Sequence, residues 1–169
     1  RVLITLSSDV CNSSNNFYSV GGPVDSTGKY SFRVPPGTGY GLKAWSVTYG
    51  ELPKITLATV TAGTTYANQD FRVNTANIRT VTVSFTNAAG LTAEGFVDAF
   101  NSTTNSGQHT RVANVSAIAA HETLKLADGT YQVRAYIPGF GDIAATGNPI
   151  TISSSVTSVT FVLPLATDR

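Results

Sequence analysis

A short pattern of turn, strand, turn and strand occurs twice in this chain, and that recurrence constrains the fold more than any other feature. In the first copy Asp25-Ser26-Thr27-Gly28 leads into Tyr30, Phe32 and Val34 at alternate positions, followed by Pro35-Pro36-Gly37 and then Tyr40, Leu42 and Ala44. In the second, Leu124 and Leu126 precede Asp128-Gly129, and Tyr131, Val133 and Ala135 follow. Alternation with a period of two marks half-buried strands, and glycine- and proline-rich breaks mark the turns between them. Self-similarity at a spacing of about 90 residues predicts two copies of one small β domain.

The match extends on both sides. Val60 to Val73 aligns with Ile150 to Leu163 without a gap, which sets Phe71 and Val73 against Phe161 and Leu163. Upstream, Val2, Ile4 and Leu6 align with Phe96, Asp98 and Phe100, an alignment that puts a carboxylate on a face expected to be inward. Strands are expected at 1–8, 17–20, 29–34, 40–45, 55–61, 66–73, 78–86, 94–101, 109–116, 121–126, 130–137, 149–153 and 157–163. The runs 29–34 and 40–45 read as a hairpin, and no stretch has convincing helical periodicity. Polar residues Asn74 to Asn77 read as the boundary. The fold expected is therefore all-β, two tandem antiparallel sandwiches of prealbumin or immunoglobulin-like kind over 1–74 and 78–169.

The copies differ at their start. The second opens with Thr80-Val81-Thr82-Val83-Ser84-Phe85 and reaches Gly95-Phe96-Val97 after a turn, whereas Val2 to Leu6 aligns with the latter strand. The first domain is thus expected to lack its opening strand. A sandwich short of one strand offers backbone groups and an apolar groove to a strand from elsewhere. The chain begins at Arg1 and contains no Met, so a processed or trimmed product is expected.

Composition narrows the function classes. Charged residues make up 12% of the chain and the formal net charge is +1, which leaves no basic footprint for nucleic acid or an anionic membrane. No apolar run approaches the length of a membrane-spanning helix. Serine and threonine together supply about a quarter of the residues, a balance met in β-rich extracellular proteins. The single cysteine, Cys11, excludes an internal disulfide and is expected to be a free thiol or a link to another chain.

No catalytic, cofactor or metal site is expected. His109 and His121 lack Cys, Asp or Glu at ligand spacing, no serine stands in a Gly-x-Ser-x-Gly elbow, and the aspartates are isolated. Trp45 and Tyr136 fall at matching places, out of phase with the inward face and in phase with Lys43 and Arg134. With Tyr49 they are the candidate surface contacts, to a sugar ring or a protein, unless each packs under a neighbouring loop. Sequons make Asn12, Asn101 and Asn114 candidate glycosylation acceptors.

The run Gly28-Lys29-Tyr30-Ser31-Phe32-Arg33-Val34-Pro35, continuing to Gly37 and Tyr40-Gly41-Leu42-Lys43-Ala44, resembles carboxypeptidase regulatory-like domains, relatives of transthyretin-like and Cna B-type sandwiches. These motifs are turn and core residues, so the resemblance implies a seven-stranded sandwich of the kind used as stalk, pilin, adhesin or accessory module on bacterial and archaeal surfaces. Some Cna B-type domains carry a Lys-to-Asn isopeptide bond, but the strand 78–86 has Arg79 and no Lys, which leaves that cross-link unexpected. A strand-deficient first domain also looks like donor-strand pilins. The function expected is a structural subunit of an extracellular filament, its copies linked by strand complementation. Its interface is expected at Val2, Ile4 and Leu6 of one chain and Val159, Phe161 and Leu163 of the next. The alternatives are a carbohydrate-binding or adhesive module with glycan partners, and an accessory domain pair of a larger secreted protein.

Overall fold

A computed structural model describes residues 2–8, 19–115 and 123–165. The described chain is nearly all strand and turn, with a single turn of 3₁₀ helix at Thr75–Asn77 capped by the Asn74 side chain. It divides into two compact units, Arg1–Val73 and Asn74–Arg169.

In the first unit β1 (Val2–Ser8) lies between β2 (Ser19–Pro23) and β3 (Gly37–Ser46), antiparallel to both. The far side of β3 carries the short β4 (Gly50–Glu51) and β5 (Ile55–Val60). One face of this sheet buries Ile4, Leu6, Tyr40, Leu42 and Ala44, and it is covered by half-buried Val24, Tyr30, Phe32, Val34 and Phe71.

The second unit is a sandwich of two sheets. One holds β6 (Ile78–Thr86) between β9 (Thr123–Ala127) and β13 (Ser158–Val162). The other places β10 (Gly129–Ile137) between β7 (Gly95–Asn101) and β11 (Gly141–Ala144), with β8 (Ser106–Val112) beyond β7 and β12 (Ile150–Ile152) paired to the start of β10. Val81, Val83, Phe85, Leu124 and Phe161 from one sheet meet Val97, Ala99, Val133 and Ala135 from the other, a packing of large side chains onto small ones. Every pairing in this unit is antiparallel except β6 with β13, which is parallel.

The facing of β7 differs from the sequence alignment. Val97 and Ala99 are buried, while Phe96 and Asp98 are exposed. Ile4 and Leu6, which pair with Ala44 and Leu42, therefore correspond to Val97 and Ala99, which pair with Ala135 and Val133. A strand has a period of two, so an alignment drawn by the bulky Phe96 and Phe100 slips by one residue and reverses the face. Asp98 thereby stands outward.

Two other expectations fail for one reason. Residues 29–34 and 66–73 belong to no strand, Asn68 standing at a φ of 58°, and the hairpin of 29–34 with 40–45 is absent because β3 pairs with β1 and β5 instead. A pattern of alternate apolar residues becomes a strand only where a partner supplies the hydrogen bonds.

Candidate functional site: an open strand position in the first unit

The tyrosines at the start of β3 and β10 fix how the two units correspond. The Tyr131 hydroxyl donates to the Ala127 carbonyl at 3.0 Å, and the Tyr40 hydroxyl donates to the Pro35 carbonyl at 2.9 Å. Pro35 therefore stands where Ala127 stands, and Phe32 and Val34 stand where Leu124 and Leu126 of β9 do. Burial follows the same alternation: Leu124 and Leu126 are fully buried, and Tyr30, Phe32 and Val34 are half-buried between exposed neighbours. On the other flank, the gapless alignment sets Gln69, Phe71 and Val73 against Val159, Phe161 and Leu163. Phe71 packs on the first unit's core as Phe161 does on the second's.

Between these flanks the second unit holds β6. Val81 and Thr82 pair with Leu124 and Thr123 on one side, and Thr82, Val83 and Phe85 pair with Ser158, Val159 and Phe161 on the other. Phe85 stacks on Phe161 with ring centroids 5.2 Å apart. The first unit has both flanks and no described strand between them. A side chain reaches across instead: the Tyr30 hydroxyl donates to the main-chain carbonyl of Gln69, and the Tyr30 ring lies 5.7 Å from Phe32 and 6.3 Å from Phe71 between centroids. Partial burial, and secondarily the charge of Asp70, raise the Tyr30 hydroxyl above its ordinary pKa, so it stays a donor through neutral pH.

Local structure holds the 29–34 flank at both ends. Before it, the Asp25 carboxylate accepts from the Lys29 and Thr27 main-chain N–H groups at 2.9 and 2.8 Å and from the Thr27 hydroxyl at 2.8 Å, around a Gly28 of φ 82°. After it comes the Tyr40–Pro35 bond. The Lys29 N–H first, then the two Thr27 donors, lower the Asp25 pKa below the ordinary carboxylate value. A folded pKa below the unfolded one contributes stability above the unfolded value and loses it as pH falls through the folded one. Amide hydrogen exchange at Thr27 and Lys29 is thus expected to be slow at neutral pH and to lose its protection relative to the β3 amides under acid. In Asp25→Ala it is expected to be fast at every pH, and equal protection in the two proteins would refute this account of the turn.

The residues singled out in the sequence are placed as follows. Ile4 and Leu6 are only 2% and 4% exposed, and β1 is paired on both edges. Val159, Phe161 and Leu163 are buried within the second unit, and Val2 is half-buried in the first. Five of these six side chains are core of their own units and Val2 packs against the core of the first, so each is engaged within the chain. Among the described residues no strand lies between 29–34 and 69–73, segments that the sequence marked only as strands.

Trp45 and Tyr136 do point outward, at 37% and 57% exposure, and Tyr49 is half-buried. Phe96, missed because it was read as inward, is 52% exposed and stands opposite Tyr136, with Arg111 and Asp142 on the flanking strands of the same row. Asn101 is buried, and its Oδ1 accepts from the Thr103 and Thr104 main-chain N–H groups, so the amide of this sequon is engaged in a turn. Asn114 is half-buried just past β8, and Cys11, Asn12 and His121 lie outside the described residues. Among the described residues no three His, Cys, Asp or Glu side chains cluster to hold a metal, and no helix is long and apolar enough to cross a membrane. No family model matches this chain, and no curated protein or solved structure matches it either.

Proposed function

We propose that this chain is a structural subunit of an extracellular filament, its copies joined through a β-strand that one copy supplies to the first unit of the next. One observation carries the reading: the first unit keeps both flanks of the β6 position, with apolar side chains alternating toward the core, and has no described strand between them. Main-chain hydrogen bonds to an inserted strand supply affinity in such joints, and alternate side chains entering the groove supply specificity. The low charge and the wealth of Ser and Thr suit an extracellular setting. Electron microscopy of native surface material, with sedimentation of the purified chain over a wide concentration range, tests the proposal. Filaments, and mass that grows with concentration, support it. A chain that stays monomeric throughout, in material without filaments, sinks it.

A second reading, a carbohydrate-binding module, rests on the exposed ring pair Phe96 and Tyr136 and on Trp45. Flat exposed rings beside charged groups are suited to stacking on a sugar. Under this reading Tyr136→Ala and Trp45→Ala weaken polysaccharide pull-down at least about tenfold and change the thermal midpoint little, because substitutions at exposed positions stay within roughly 0.5 kcal/mol. Retention equal to the parent chain would leave the filament reading alone, and a large loss of midpoint would place the ring in the core.

A further inference from the structure

The second unit supplies a template for what occupies the open position in the first. Resting on the strand-complementation reading, we infer that the occupant is a polypeptide strand with apolar side chains at every second position, of the Val-x-Val-x-Phe type, inserted in one direction and one register, and that Tyr30 holds its place until it arrives.

The direction follows from β6. It runs antiparallel to β9 and parallel to β13, so an inserted strand runs antiparallel to 29–34 and parallel to 69–73. The register follows from the same pairings. Val81 pairs with Leu124, whose counterpart is Phe32, and Phe85 pairs with Phe161, whose counterpart is Phe71. The first apolar residue of the donor therefore lies beside Phe32, and the last, an aromatic or another large side chain, stacks on Phe71.

The middle apolar residue takes the place of Val83, which pairs with Val159, the counterpart of Gln69. Thr82 pairs with Thr123, the counterpart of Ser31, so Tyr30 stands one step further along, opposite that same middle position. Tyr30 and Gln69 thus flank the site of the middle side chain, and the Tyr30 hydroxyl spans it to reach the Gln69 carbonyl. The bond satisfies a main-chain acceptor that an incoming strand would otherwise claim, and the ring covers Phe71. A strand edge masked in this way is less prone to indiscriminate pairing. Insertion breaks the Tyr30–Gln69 bond and turns the ring aside.

A peptide of residues 78–86 carrying a solubilising Lys tail is the probe, added to the purified full chain. Two versions hold a photo-activated cross-linker, one in place of Ile78 and the other in place of Phe85. The first is expected to mark Val34 and Pro35, and the second Phe71 and Arg72, by mass spectrometry. A peptide with Val81, Val83 and Phe85 replaced by Ser is expected not to be captured. Tyr30→Phe, which keeps the ring and removes the bond, is expected to bind the peptide about fivefold more tightly, the effect of one hydrogen bond of roughly 1 kcal/mol. Capture in this register by a chain that never assembles with its own copies upholds the inference and removes the homopolymer. No capture, marks with the two ends reversed, marks on Leu124 or Phe161, or equal capture of the Ser peptide overturns the inference.

Discussion

A chain extended ahead of Arg1 by a second copy of residues 78–93 is expected to stay monomeric where the parent chain assembles, and to unfold at a higher temperature. The length follows from register: Ile4 corresponds to Val97, so Arg1 corresponds to Glu94 and the added segment ends one residue short of it. It carries the β6 strand and its connection to β7, and so reaches the open position of the first unit from the same side as in the second. Once the position is filled from within the molecule, a donor from another copy competes against a tethered strand, whose effective concentration is in the millimolar range for a short connection. A net gain of only about 1 kcal/mol raises the midpoint of a unit of this size by ~4–8 °C. The control carries Ser at the positions copied from Val81, Val83 and Phe85 and is expected to behave as the parent. Light scattering and calorimetry decide the matter. An extended chain that assembles like the parent, or melts no higher than the control, would show that the first unit accepts no such strand.

The largest loss of stability from a single methyl group is expected at Gly107. A Cβ there would stand 2.0 Å from the Ala99 carbonyl oxygen and 3.1 Å from the Phe100 Cα, both main-chain atoms of the paired strand. Main chain cannot swing aside as a flexible side chain does, so β7 and β8 must separate. Glycine inside a strand often marks such close backbone approach. Gly107→Ala is expected to cost about 3 kcal/mol or more, the upper range for overpacking, and to lower the midpoint of the second unit by roughly 15 °C. Gly22→Ala serves as the comparison, because nothing lies within 4 Å of a Cβ at Gly22. That substitution is expected to stay within about 0.5 kcal/mol. Equal midpoints for the two variants in thermal denaturation would contradict the close approach.

How much of this was legible in the sequence depends on the link in the chain of causes. Alternation at Tyr40, Leu42 and Ala44 gave their burial and the outward turn of Trp45, because on a pleated strand the two faces follow from period alone. The same rule misplaced Phe96 and Asp98, where Gly95, Val97 and Ala99 are small and the facing sheet supplies the bulk from Phe85 and Phe161. Hydrophobic size drew the eye to the wrong parity. At 29–34 and 69–73 the pattern gave the inward residues but not the absence of a described ladder, since a ladder belongs to two segments and a pattern to one. Comparing the two copies raises the expectation that the first lacks an opening strand. That the Tyr30 hydroxyl bonds to the Gln69 carbonyl was not legible, because it depends on a contact between residues 39 positions apart. Asn101 is the converse case, a sequon whose local signal is genuine and whose side chain the fold has already engaged.

The position of β6 also bears on how a joint of this kind fails under load. β6 is held along both edges, by five residue pairs to β9 and five to β13. A strand gripped from one side can be peeled, because each hydrogen bond takes the tension in turn. A strand between two neighbours and pulled along its own axis loads both ladders in shear, and they must give way nearly together. A filament built from such joints would break at high force over a short extension, and a tethered copy of β6 would turn the same geometry into a link that does not part until the unit itself unravels.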